Sequence, residues 1–205
     1  MSIINTFKQY RQYAFIRIVK ILFRKFGFIY ESFYLLNYTI DKDYVSKIYS
    51  SYDYLDVMEL KKSDVSRLDF IDIKKKKLFT ERLNSNNYSC FICIDKERIV
   101  YFTWISWKYL NYPIIFDKKD KLVSNQALLE DSYCHPDYRG KGFHSKMNSF
   151  RLHEIAKRGK TNVLVLVLKE NKPALKVQFK NGFKIIEKIT FYKIFNKISI
   201  KHYRL

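Results

Sequence analysis

The sequence predicts a mixed α/β domain of the α+β kind, preceded by a basic amphipathic helix, and three observations carry that reading. A strand, turn, helix, strand succession runs through residues 126–168. Two runs rich in β-branched and aromatic residues, 88–94 and 98–107, are separated only by the charged turn Asp95, Lys96, Glu97, the pattern of a hairpin. The run NVLVLVL at 162–168 is apolar without a break after its asparagine, as in a strand buried on both faces.

The elements follow in order. In AFIRIVKILFRKFGF, residues 14–28, the side chains Phe15, Val19, Leu22 and Phe26 recur at helical spacing while Arg17, Lys20 and Arg24 fall on the opposite face. Residues 1–29 hold six basic residues and no acid before Glu31, so they supply +6 of a formal net charge of +19. Arg17, Lys20, Arg24 and Lys25 interrupt the apolar run, which excludes a membrane span and a signal peptide. Two readings stand: an interfacial helix on an acidic membrane leaflet, or a helix packed on its own domain or on the partner of a homodimer. Residues 30–205 show no repeat, low-complexity linker or Pro/Gly seam and are read as one domain.

Within that domain, residues 30–40 read as a strand and 41–55 as a helix opened by an aspartate cap. After the hairpin come a strand at 126–134, a turn at 135–142, a helix from Gly142 to Arg158, and the buried strand. A short helix over 172–181 ends at Gly182, and two further strands, 183–192 and 195–205, complete the chain.

Composition bounds the function. Lys and Arg number 39 against 20 Asp and Glu, which points to anionic partners, although AT-rich coding would produce the same drift. No recognised nucleic-acid module accompanies the charge, so a nucleic-acid role is not favoured. Three cysteines, Cys90, Cys93 and Cys134, make no paired framework, which fits a reducing, cytoplasmic compartment. Cys90 and Cys93 form a CxxC on a strand, where residues three apart face opposite ways, so neither a metal site nor redox chemistry is expected of them.

The chemistry concentrates in HPDYRGKGFHSKM, residues 135–147. The chain has only five glycines, and Gly140 and Gly142 stand here two apart, among Arg139, Lys141 and Lys146. A strand entering such a turn and opening a helix presents backbone N–H groups at a helix N-terminus, where they and the helix dipole favour a phosphate. Neither the nucleotide-triphosphate loop nor GxGxxG is present.

LLEDSYCHPDYRGKGFHSKM, then VLVLVL, then NKPALKVQFKNGF closely resembles the GNAT superfamily of acyl-CoA-dependent N-acyltransferases. The resemblance covers about residues 127–183 and leaves the N-terminal helix uncovered. It implies a mostly antiparallel twisted sheet with flanking helices and a central parallel strand pair that splays to admit pantetheine. It implies acetyl-CoA as acyl donor, an amine acceptor, no metal, and direct attack in a ternary complex. Carried over residue by residue, Arg139, Gly140, Lys141, Gly142, Phe143 and His144 would hold the pyrophosphate, with His144 standing where relatives carry a small residue. Asn171 would meet pantetheine or organise the splay, and a backbone amide of Tyr133 or Cys134 would polarise the acetyl carbonyl.

Glu130 is the candidate base, and Asp131, next along the strand, should by alternation face the other way. Trp104 and Trp107 fall where relatives build the acceptor wall, or are simply core. Seven residues after Asn171, where many relatives carry a tyrosine that protonates the thiolate, stands Gln178. Water or another tyrosine, with Tyr192 and Tyr133 as candidates, would then serve. A lysine-rich and aromatic-rich front half resembles members that acetylate amino sugars on nucleotide or lipid carriers in surface polysaccharide synthesis. A CoA-binding, non-catalytic interaction module is the alternative.

Overall fold

The computed structural model describes residue 20, residues 22–41 and residues 56–204. Most of the expected N-terminal helix lies outside the described residues, of which Lys20 and residues 22–25 are helical. The helix expected over 41–55 lies outside them apart from Asp41.

Among the described residues the chain order is β1 (Phe28–Thr39), β2 (Val57–Glu59), α1 (Ile73–Leu83), β3 (Tyr88–Asp95), β4 (Arg98–Ser106), β5 (Tyr109–Asn111), β6 (Lys119–Lys121), β7 (Gln126–Cys134), α2 (Phe143–Lys157), β8 (Asn162–Leu168), α3 (Lys172–Lys180), β9 (Lys184–Ile194) and β10 (Lys197–Arg204). Among the described residues eight strands make one sheet in the order β10-β9-β1-β8-β7-β4-β3-β2, and β5 pairs with β6. Every neighbouring pair in the large sheet is antiparallel except β7 with β8. The architecture is therefore the mixed, mostly antiparallel sheet with flanking helices that the resemblance implies.

β8 reads as a continuous apolar run because both of its faces are covered. On one face α2 and α3 bring Met147, Leu152, Ile155 and Leu175 onto Val163, Val165 and Val167. On the other, Leu110, Tyr112 and Phe116 from the β5–β6 segment cover Leu164, Leu128 and Phe191, where Phe116 stacks on Phe191 at 4.5 Å. A third cluster, under α1, joins Phe79 and Val65 to Cys90, Ile92, Phe102 and Trp104. Cys90 and Cys93 thus enter different clusters, and burial pushes the Cys93 thiol up to about 12.

Local chemistry explains the joints. The β3–β4 turn places Lys96 at φ 47° and Glu97 at φ 67°, the two positive φ values of a primed hairpin turn that matches strand twist. Asp72 caps α1 by accepting from Lys75 N–H at 2.7 Å. At the end of α3, Gly182 adopts φ +84° and Phe183 N–H reaches back to Gln178 C=O at 3.0 Å, the expected glycine stop.

The parallel pair positions the site. β7 and β8 are paired from Gln126 with Asn162 to Leu129 with Val165, and there the pairing ends. β7 continues to Cys134 against β4 alone, and β8 continues to Leu168 against β1 alone. The two strands part after four residue pairs, which is the splay the resemblance implies.

Candidate functional site

The turn after β7 is built by proline, glycine and local hydrogen bonds. Pro136 opens a 3-10 turn over Pro136–Tyr138, and Arg139 Nε donates to Cys134 C=O at 3.2 Å. Gly140 and Gly142 take φ +78° and +80°. A Cβ at either would meet nothing within 4 Å, so backbone conformation and not space demands glycine there. Gly142 is the N-cap of α2 and offers no side-chain cap, and Lys146 N–H is the first to find Gly142 C=O, at 3.1 Å. Among the described residues no acceptor serves the N–H groups of residues 140–145. A run of six free donors at a helix N-terminus, with Arg139 and Lys141 exposed beside them, suits an anion of several oxygens.

His144, the bulky departure in the motif, turns its ring away from this turn and under the sheet. Its Nδ1 lies 2.6 Å from Tyr101 Oη. Burial, with a smaller contribution from Arg151, lowers the imidazole from 6.5 to about 4, so it is neutral at neutral pH and shares one hydrogen bond with the phenol. Burial likewise raises Tyr101 to about 12.

Strand register decides which amide faces the splay. His135 N–H donates to Val100 C=O at 2.8 Å, so alternate residues of β7 address β4 and Cys134 addresses the gap. Tyr133 addresses Phe102 instead, and its ring stacks on Phe70 at 4.5 Å. Of the two amides expected to meet an acetyl carbonyl, only that of Cys134 is turned toward the gap.

The two carboxylates require a correction. Alternation places Glu130 and Asp131 on opposite faces, but β7 carries a bulge: Glu130 pairs with Trp104 and Tyr133 with Phe102, leaving Asp131 and Ser132 opposite Thr103. Asp131 sits at φ +41°, and the extra residue brings both acids to the α1 face. Glu130 Oε2 accepts from Arg82 Nη2 at 3.1 Å and Oε1 from Asn111 Nδ2 at 2.7 Å, and Asp131 Oδ1 accepts from Lys75 Nζ at 3.0 Å. Lys75 and Arg82 are seven residues apart on α1 and so share a face. Burial raises the Glu130 carboxyl above its ordinary value, with the Arg82 charge opposing.

These groups line a cleft of about 1010 Å³ between α1 and the β5–β6 segment, with Leu128, Leu129 and Leu166 of the parting strands in its wall. Lys75, Arg82, Tyr88 and Asn111 were not singled out from sequence. For α1 the signal was present, since Asp72 is an N-cap residue, but IKKKKLFTERL carries few apolar residues and a lysine run that reads as a solvated face.

The remaining candidates lie elsewhere. Trp104 is fully buried beneath the cleft, edge-on to Phe79 at 4.8 Å, and carries Arg82 over its ring at 5.2 Å. Trp107 belongs to the α2-side core, donates to Ser89 Oγ at 3.1 Å and lies under Arg158 at 3.9 Å. Both are buried, and neither is among the residues that line the cleft. Tyr192 stacks near Tyr30 at 5.3 Å in a separate cavity of about 510 Å³, two strands beyond β8. Gln178 is buried and accepts from Asn148 Nδ2 at 3.2 Å, joining α3 to α2. Asn171 caps α3, its Oδ1 accepting from Ala174 N–H at 3.2 Å, which leaves its Nδ2 donor exposed near the end of β8.

No family model matches the chain, and no curated protein is similar to it in sequence. Solved structures are similar in fold. A GNAT-family protein from Novosphingobium aromaticivorans, assigned as an acetyltransferase, superposes with a TM-score of 0.54 at 14% identity, over 82% of this chain and 66% of that one. Aminoglycoside N-acetyltransferase AAC(6')-Iy in complex with CoA superposes at 0.50 with 18% identity, over 63% of this chain and 91% of that one. A Drosophila protein superposes at 0.56 with 11% identity, over 88% of this chain but only 57% of its own length. The fold is that of the GNAT acyltransferases.

Proposed function

We propose that this chain is an acyl-CoA-dependent N-acyltransferase that moves an acetyl group from acetyl-CoA to a primary amine. The observation that carries the reading is the parting of β7 from β8 after Leu129 and Val165, with free N–H groups at one end of the gap and a half-buried carboxylate at its wall.

The residues fit a coenzyme A. The amides of residues 140–145, with Arg139 and Lys141, would hold its pyrophosphate, and Asn171 Nδ2 would face the pantetheine arm. Acetyl-CoA supplies an activated acyl carbon and a thiolate leaving group. Cys134 N–H donates to the acyl oxygen where negative charge develops. Glu130 takes one proton from the ammonium, whose nitrogen then forms the new C–N bond as the C–S bond breaks and gives up its second proton. Asn111 and Arg82 hold the Glu130 carboxylate in place, and Asp131 lies beside it to orient the ammonium. Water relays that second proton to the leaving thiolate, since Gln178 is tied to Asn148, the Tyr133 ring is stacked on Phe70 and Tyr192 lies in the other cavity. Holding both partners in one cleft supplies much of the rate.

The finer reading is an amino sugar on a nucleotide or lipid carrier. Its support is the cleft itself: two acids at the floor suit an amine, and Lys74, Lys118 and Lys119 in its lining suit a diphosphate. The test is thiol release from acetyl-CoA with amino-sugar nucleotides, polyamines and peptide N-termini. Release with the sugars supports the whole reading, and release with the other amines alone removes the sugar. Binding of CoA without release for any amine leaves a non-catalytic CoA-binding module.

A further inference from the structure

A basic, aromatic corner of the molecule stands apart from the cleft. Lys20 Nζ pairs with Glu170 at 2.9 Å, and Arg24 pairs with Glu31, so two of the cations on the polar side of the N-terminal helix are fastened to the domain. The apolar residues that follow Lys20 are turned outward. Leu22 is 51% exposed, Phe23 56% and Phe26 70%. An amphipathic helix that packs for core burial does the reverse.

The β9–β10 hairpin extends the same surface. Phe195 N–H donates to Gly27 C=O at 2.8 Å, which seats the hairpin tip against the start of β1. Phe195 is 65% exposed and lies 5.5 Å from Phe28, which in turn lies 6.5 Å from Phe23. Phe195 holds φ +51°, a left-handed conformation unfavourable for a bulky side chain and one that presents its ring at the corner. Lys25 and Lys197 flank these rings and make no ion pair among the described residues, and Lys8, Arg11 and Arg17 precede them in sequence with no acid.

We infer that this corner, built jointly by residues 22–28 and the β9–β10 hairpin, docks on an anionic lipid bilayer. Contiguous exposed aromatics mark an interaction surface, and a surrounding excess of positive charge selects an acidic one. The aromatic rings enter the headgroup boundary while the lysine stems reach to lipid phosphates. This inference is independent of the transferase reading.

The test is co-sedimentation of the full chain with vesicles of phosphatidylcholine alone or phosphatidylcholine with phosphatidylglycerol. Binding is expected only with the anionic vesicles and should weaken as salt rises. Phe26→Ser combined with Phe195→Asn, whose asparagine tolerates the left-handed backbone, should lower partitioning at least about tenfold with an unchanged melting temperature. Binding to neither vesicle, equal binding to both, or wild-type binding by the double variant overturns the inference. So does a dimer in sedimentation velocity that the double variant abolishes without any vesicle binding, which would assign the corner to a second copy of the chain.

Discussion

Arg82 donates to the Glu130 carboxylate at 3.1 Å while lying between the ring faces of Tyr88 and Trp104, 5.1 and 5.2 Å from their centroids. The guanidinium is thereby fixed from three sides. Burial pushes the proton onto Glu130, while the Arg82 charge, helped by the Asn111 amide, pushes it off.

Glu130→Gln keeps the shape and removes the base. A fall in kcat of about 10²–10⁴-fold is expected in a thiol-release assay, since positioned bases contribute that much. Wild-type kcat/KM should decline as pH falls through a value above the ordinary carboxylate range, because the acid form of Glu130 cannot accept a proton. The variant should lose that limb of the profile, and turnover within about threefold of wild type across pH would reject the assignment.

Arg82→Gln removes the charge that opposes burial. The Glu130 carboxyl should rise further, moving the acidic limb of the kcat/KM profile to higher pH. A shift of one unit corresponds to about tenfold at a pH below both limbs, so the variant should lose most on the acid side of the profile and recover as pH rises. A uniform loss at every pH would mean that Arg82 only supports the fold.

His144 is neutral in the folded chain because its imidazole is lowered from 6.5 to about 4. In that window the unfolded chain binds the additional proton, so folded stability drops as pH falls from about 6.5 to about 4. Melting temperature measured against pH should show this slope, and His144→Asn should flatten it. The difference between the two proteins isolates His144 from His153, whose imidazole is also lowered by burial.

Gly142→Ala forces a Cβ into φ +80°, at a cost of about 1–2 kcal/mol. The chain should remain folded, as nothing stands within 4 Å of the added atom, but the turn should relax and acetyl-CoA affinity should fall. Gly142→Asn, which visits the left-handed region more readily, should retain more affinity. Isothermal titration with CoA distinguishes the two.

Much of this molecule could be read along the chain. The helical repeat of α2, the unbroken apolar run of β8, the β3–β4 turn and the glycine stop after α3 all report the conformation of a few consecutive residues. Gly140 and Gly142 belong with them, because a positive φ is a demand made by each residue's own backbone. Tertiary structure alone decided that Asp131 joins Glu130, through a bulge that exists only in the register between β7 and β4. It also decided that Arg82 reaches Glu130 from a helix 48 positions earlier, that Trp104 and Trp107 are core, and that Leu22, Phe23 and Phe26 face outward. Hydrogen-bond register and burial are set between segments distant in sequence, and no local pattern of side chains encodes which of them will meet.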